Sequence, residues 1–168
     1  FLSEEMTDLL DRYFGPRIYD DPTYFDIWDR IDRISDEELW RTHEARENRL
    51  VAFARKRLKE QLESRGGSHT QLRHAEEVLS PYAFTISFAR RFATYKRAAL
   101  LFREPERLKR LLANPERPVQ LIFSGKAHPH DIPGKNLIKD IVHFASDPEM
   151  RSKIVFLENY DMNIARYL

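Results

Sequence analysis

Hydrophobic positions change their period partway along the chain. Through roughly the first eighty residues they recur at helical spacing. "SEEMTDLLDRYFG" offers Ser3 as an N-cap, acids in the first turn and Gly15–Pro16 as a stop. "YDDPTYFDIWDRI" predicts one or two helical turns with Trp28 packed inward. "SDEELW" reads as a capping box, Ser35 capping and Glu38 three residues on. It opens a long helix whose apolar stripe runs through Leu39, Leu50, Val51, Ala54, Leu58 and Leu62, and Gly66–Gly67 ends it. A shorter helix, "SHTQLRHAEEVL", leads to Ser80–Pro81, the expected boundary between a helical part (1–80) and a second part (81–168).

Beyond that boundary three short apolar runs appear: "FTISF" (Phe84–Phe88), "VQLIF" (Val119–Phe123) and "IVFL" (Ile154–Leu157). Each precedes helical patterning: "YKRAALLF" with "PERLKRLLA", then "GKNLIKDIVHFA", then "DMNIARYL". Runs that recur about every 30 residues match the length of one βαβ unit. The prediction is an α/β fold: helices, then a partial parallel Rossmann-like sheet covered on both faces.

The length of 168 residues, 42% hydrophobic and 33% charged, suffices for a buried core. No apolar run approaches the roughly 18 residues of a membrane span, and no secretory leader pattern is present. With no cysteine, disulfides, thiolate catalysis and cysteine-bound zinc are excluded. A cytoplasmic protein without membrane or nucleic-acid partners is expected, "RKRLK" reading as a solvated helix face. The first residue is Phe1 and the last segment reads as an opening helix, so a longer polypeptide is expected.

Formal net charge is only +1, yet it is unevenly distributed. Up to Ala83, 13 Lys and Arg stand against 18 Asp and Glu; from Phe84 on, 15 stand against 9. The excess of cations includes Arg90, Arg91 and Lys96, directly after the first run. Ligands of open parallel sheets bind beyond the carboxyl ends of the strands. The residues to examine are therefore "ARRFATYK", "SGKAHPHD" and "ENYD". Helices starting there would aim their positive ends at the same rim. Arg91 and Lys96 make a candidate anion clamp, a planar fork beside a point charge, suited to phosphate. The competing reading pairs both cations with acids of the first half.

Other motifs carry less. Gly134–Lys135 fails the phosphate-binding pattern G-x-x-x-x-G-K-[ST], with Pro129 for the first glycine and Asn136 for Ser/Thr. His128, His130 and Asp131 are metal-ligand types, but capping of the next helix is the simpler role, and no metal is expected. Glu158 and Asp161 could be set as paired carboxylates, a spacing too common to define a glycosidase.

Three stretches in order, "FARRFATYKRAALLF", "PVQLIFSGKAHPHDIPGKNLI" and "IVFLENYDMNIA", resemble the α-glucan (glycogen or maltodextrin) phosphorylases, most closely the shorter bacterial and archaeal type. "FLSEEM" and "DEELWRTHEARENRLVAFARKRL" fall in family order as well. The resemblance implies phosphorolysis of a terminal α-1,4 glucosyl unit by inorganic phosphate, giving glucose 1-phosphate. It further implies two Rossmann-like domains with the active site between them, a homo-oligomeric full-length protein, and pyridoxal phosphate acting through its phosphate group. On that basis Arg91 and Lys96 hold the substrate phosphate, Arg90 stands near the cofactor phosphate, and Tyr160 belongs to the cofactor pocket. Gly125 and Lys126 match a structural turn. Ala93 and Thr94 stand where the long enzymes carry His and Glu. The family's cofactor-bonding lysine is expected past Leu168 and its glucan-binding domain before Phe1. The chain thus resembles part of the C-terminal catalytic domain and is expected to be inactive alone. The alternatives are a nucleotide-sugar glycosyltransferase resembling glycogen synthase, which shares an Arg-x4-Lys clamp, or a non-catalytic phosphate-binding module.

Overall fold

A computed structural model describes residues 2–168 as two compact units, the first ending at Arg49 and the second Leu50–Leu168. In the first, helix α1 (Glu4–Phe14) starts where the Ser3 hydroxyl accepts the Met6 N–H at 3.3 Å, and stops at Gly15 with φ 71°. Single turns α2 (Arg17–Asp20) and α3 (Phe25–Trp28) follow, then a 3₁₀ turn at Ile31–Arg33. Phe14, Ile18 and Ile27 form a small core. Trp28 is not packed fully inward: its indole N–H must donate to Pro22 O at 2.9 Å, which leaves one face against Phe14 and the rest at the surface.

Helix α4 (Asp36–Glu63) begins in the first unit and ends in the second. Only half of its expected capping box is present. The Ser35 hydroxyl accepts the Glu38 N–H at 3.2 Å, but the Glu38 carboxylate instead takes the Tyr13 hydroxyl and Arg12, the latter at 2.6 Å. A nearby charge outcompetes one backbone N–H. Helix α5 (His69–Glu77) has the complete box, Ser68 with Gln71.

The second unit is built on three parallel strands in the order β1 (Phe84–Ala89), β2 (Val119–Ser124), β3 (Ile154–Leu157). Helices α6 (Pro105–Ala113), α7 (Ile132–Ala145) and α8 (Met162–Tyr167) lie among them. On one face Leu121, Phe123, Ile154 and Phe156 pack with Phe92, Leu108, Leu112 and Ile141. On the other, Ile122, Val155 and Leu157 pack with Val51, Ala54 and Ile164. A fully buried side chain of this kind contributes about 1.5–3 kcal/mol, so β2 and β3 anchor the unit from both sides.

Strand β1 departs from the expectation of a strand covered on both faces. It alternates Phe84, Ile86, Phe88 with Thr85, Ser87, Ala89, and Phe84 and Ile86 are 66% and 41% exposed. It lies at one edge, and of its apolar face only Phe88 packs against the core, while Phe84 and Ile86 stay uncovered. The linker before it is held by buried Gln120, whose amide oxygen accepts the Ser80 N–H (2.7 Å) and whose NH₂ donates to Ser80 O (2.9 Å) and Thr85 Oγ1 (2.7 Å). Arg55 adds donors to Val78 O and Leu79 O at 2.8 and 3.0 Å.

Candidate anion site at the strand ends

The register sets Ala89 beside Ser124 and Ser124 beside Leu157, so the three chains leave the sheet at one level. The Ser124 hydroxyl, fully buried, donates to Leu157 O at 2.8 Å and ties β2 to β3 there. Arg90, Gly125 and Glu158 come next in each chain.

Pairing continues past the end of β1. Arg90 N–H donates to Ser124 O at 3.2 Å and Phe92 N–H to Lys126 O at 2.9 Å. Phe92 is completely buried, its ring 5.4 Å from Phe88 and 5.7 Å from Phe156. Two glycines make the fit possible. A Cβ on Gly125 would lie 2.0 Å from Arg90 O, and one on Gly134 would lie 2.4 Å from Phe92 O. Both gaps are far below a van der Waals contact, and backbone cannot yield as a flexible side chain can. The segment carrying Arg90 and Arg91 is thus fixed by Phe92 and by glycines from the next βα connection.

The expected helix over "YKRAALLF" is absent. Thr94–Lys96 and Leu100–Arg103 form 3₁₀ turns, and α6 starts only at Pro105. Arg97 adopts the left-handed conformation (φ 58°) and ends the first turn. A left-handed residue interrupts an α-helix, so no helix start faces the rim after β1 and the cations alone supply positive charge there.

Arg90 and Arg91 are exposed and Lys96 is half-buried. Among the described residues of the second unit, none of these three and neither Arg97 nor Lys126 has an ion-pair partner. The Lys96 Nζ sits 4.7 Å from the centre of its neighbour Tyr95's ring. The two acids that follow β3 are engaged elsewhere: Glu158 meets Arg65 at 2.5 Å, and Asp161 caps α8 through Ile164 N–H at 2.8 Å and meets Arg57 at 3.6 Å. That also removes Glu158 and Asp161 as free paired carboxylates.

Tyr160 is half-buried and packs with the cluster of Ile122, Val155 and Ile164, on the face opposite Phe92. It follows a turn held by Gln61, whose amide oxygen accepts Glu158 N–H at 2.9 Å, with Asn159 at φ 55°. Asp131 caps α7 by accepting Gly134 N–H at 2.8 Å, and His128 Nδ1 accepts His130 N–H at 3.2 Å. No group of three or more metal-ligating side chains occurs among the described residues. Among them no helix is long and apolar enough to cross a membrane. The packing roles of Phe92, Gly134 and Gln61 are not evident in the sequence. A glycine in the first turn of a helix, where alanine would be favoured, was the available signal for Gly134.

Three parallel strands with helices among them define an α/β protein, with cations lacking an ion-pair partner among the described residues of the unit at the exit of β1. No family model matches the chain. Over 167 residues it is 42% identical to maltodextrin phosphorylase of Thermococcus litoralis, covering 99% of the chain and 19% of that protein. Glycogen phosphorylase of Aquifex aeolicus is 37% identical over 168 residues, covering 100% of the chain and 24% of the relative. Glycogen phosphorylase of Mycobacterium tuberculosis is 41% identical over 142 residues, 84% of the chain and 16% of the relative. The chain belongs, as a segment, to the glycogen and maltodextrin phosphorylase family. It spans between a sixth and a quarter of the length of these relatives.

Proposed function

We propose that this segment supplies the substrate-phosphate half of an α-glucan phosphorylase active site, within the C-terminal catalytic domain of its parent. The observation that carries the reading is the pair Arg91 and Lys96, free of acidic partners among the described residues of their unit, on a loop fixed by Phe92, Gly125 and Gly134. A guanidinium and an ammonium on such a loop bind a phosphate dianion without first having to leave an internal ion pair. In the proposed reaction inorganic phosphate gives a proton to the glycosidic oxygen as the C1–O4 bond breaks. A phosphate oxygen then bonds C1, giving glucose 1-phosphate. Arg91 and Lys96 orient the phosphate and keep it beside the cationic sugar that develops.

Pyridoxal phosphate fits as the cofactor of the parent at its phosphate end. Arg90 is a guanidinium with no ion-pair partner among the described residues of its unit, and half-buried Tyr160, after β3 and on the face opposite Phe92, carries a phenol, so one cation and one hydroxyl follow the ends of two strands. When bound, that cofactor supplies a second phosphate group for proton transfer. Two phosphates in one site repel strongly, and Arg90 beside Arg91 offsets that repulsion.

In the full-length parent, Arg91→Ala and Lys96→Ala should each lower kcat/KM for phosphate by about 100-fold or more. The 168-residue chain alone should release no glucose 1-phosphate. A parent carrying Arg91→Ala that phosphorolyses maltodextrin within threefold of wild type would end this assignment.

A further inference from the structure

Beyond the Arg91–Lys96 clamp lies a second cleft, of about 440 Å³, lined by Thr94, Arg97, Ala98, Ala99, Leu100, Arg103 and Leu137. That size is within the range of small-ligand sites. Its two charged lining residues are both arginines, with no acid in the wall. Neither Arg97 nor Arg103 has an ion-pair partner among the described residues of the second unit. The floor is apolar, from buried Ala98 and half-buried Leu137, and Thr94 adds a hydroxyl.

Arg97 carries a second observation of its own. It holds the left-handed conformation at φ 58°, closing the 3₁₀ turn through its N–H to Thr94 O at 3.2 Å. Its carbonyl then accepts the Leu100 N–H at 3.0 Å, so the backbone on both sides is committed. Glycine reaches that conformation without steric cost, whereas an arginine bears strain there. The backbone therefore favours glycine, and the guanidinium does nothing for the fold that any bond in this unit records. Local strain kept for a side chain without an internal partner points to use of that side chain on a ligand.

We infer that the cleft of Thr94, Arg97 and Arg103 is a second anion site, for a tetrahedral phosphate group carried by free phosphate or by a phosphate monoester. Two unpaired guanidinium forks call for a dianion with several acceptor oxygens, where a carboxylate would satisfy only one. The small apolar floor accommodates the organic part of a monoester. The site goes beyond the proposed phosphorolytic role and stands without it, since the two sites share no charged residue.

The test uses the 168-residue chain with ¹⁵N-arginine and follows the side-chain Nε–Hε resonances on titration with inorganic phosphate. The Arg97 and Arg103 signals should shift and saturate. Arg97→Gly should weaken the Arg103 response by about tenfold or more, the loss of one charge-assisted contact. The same variant should leave Tm unchanged or raise it by up to about 4 °C, because the strain is relieved. A merely structural arginine would show the opposite, a lower Tm with unchanged binding, and that result overturns the inference. So do shifts reproduced by sodium chloride at equal ionic strength. The Arg91→Ala/Lys96→Ala double variant separates the two sites. Arg97 and Arg103 responses that persist there support the second site, whereas their loss means one shared site and ends the inference while leaving the clamp intact. If instead only Arg97 and Arg103 respond in the wild type, the clamp reading fails and the second site stands. Methyl phosphate then distinguishes the source: equal or tighter binding assigns a monoester, exclusion assigns free phosphate, and either keeps the cleft an anion site.

Discussion

The exits of β1 and β3 start from one level of one sheet and treat charge in opposite ways. After β3, Glu158 is met by Arg65, its N–H is taken by Gln61, and Asp161 is shared between the α8 cap and Arg57. Every charge there is answered from inside the unit. After β1, Arg90, Arg91 and Lys96 have no ion-pair partner among the described residues of the unit, although the backbone at Arg90 and Phe92 is hydrogen-bonded to Ser124 and Lys126. Firm backbone with uncompensated side chains is the condition of a binding site, whereas compensated side chains on a turn serve the fold. Charge balance, rather than charge content, separates the two exits.

The contrast can be broken most severely at Gly125. Gly125→Ala drives a methyl group into the Arg90 carbonyl and should cost about 3 kcal/mol, read from urea denaturation of the 168-residue chain. An unchanged midpoint would show that the Arg90–Phe92 segment is free to move. Next comes Gln120→Leu, which strands the Ser80 N–H and C=O and should cost about 2 kcal/mol in the same measurement. A smaller effect is expected of the half-buried pair Lys109–Asp147, 2.9 Å apart. The hydrogen bond from Lys109 holds the Asp147 carboxyl below its ordinary range, and the same bond, made to Asp147, holds Lys109 above its own. A depressed carboxyl stabilises above its unfolded pKa of about 4 and loses that as pH falls through the folded value. The raised lysine stabilises below about pH 10.4 and loses that as pH rises through its folded value. Asp147→Asn should therefore flatten the fall in Tm below about pH 4, and 0.5 M salt should shrink the difference. Smallest of all on stability, Arg91→Ala and Lys96→Ala should each move Tm by no more than about 2 °C while removing phosphate binding. A large drop in Tm would place these cations with the compensated charges of the β3 exit.

Much of this was legible along the chain. The three mainly apolar runs located the three strands, since so short a run between turn signals has few other homes in a chain with this spacing. The cations after β1 stood out because they follow an apolar run without an intervening turn. What stayed hidden depended on contacts far apart in sequence. "YKRAALLF" has helical spacing, yet Arg97 turns left-handed and the segment breaks into 3₁₀ turns. Glu38 had the right place for a capping box but found Arg12 and Tyr13 in α1. Gly134 looked like a failed phosphate loop, whereas its role is to let the Phe92 carbonyl approach, 42 residues away along the chain. Periodicity records which face a residue turns, and it carries no record of which backbone presses against it.

The two glycines and Phe92 also bear on how this clamp could be moved. The proposed clamp residues, Arg91 and Lys96, are short to copy, but the two glycines that let their loop pack lie in the following βα connection. A designer who transplanted "RRFATYK" onto another parallel sheet would carry the charges and Phe92 but leave behind the two glycines that make room for them. The smallest portable piece is the β1 exit together with "SGKAHPHDIPG", one strand further on.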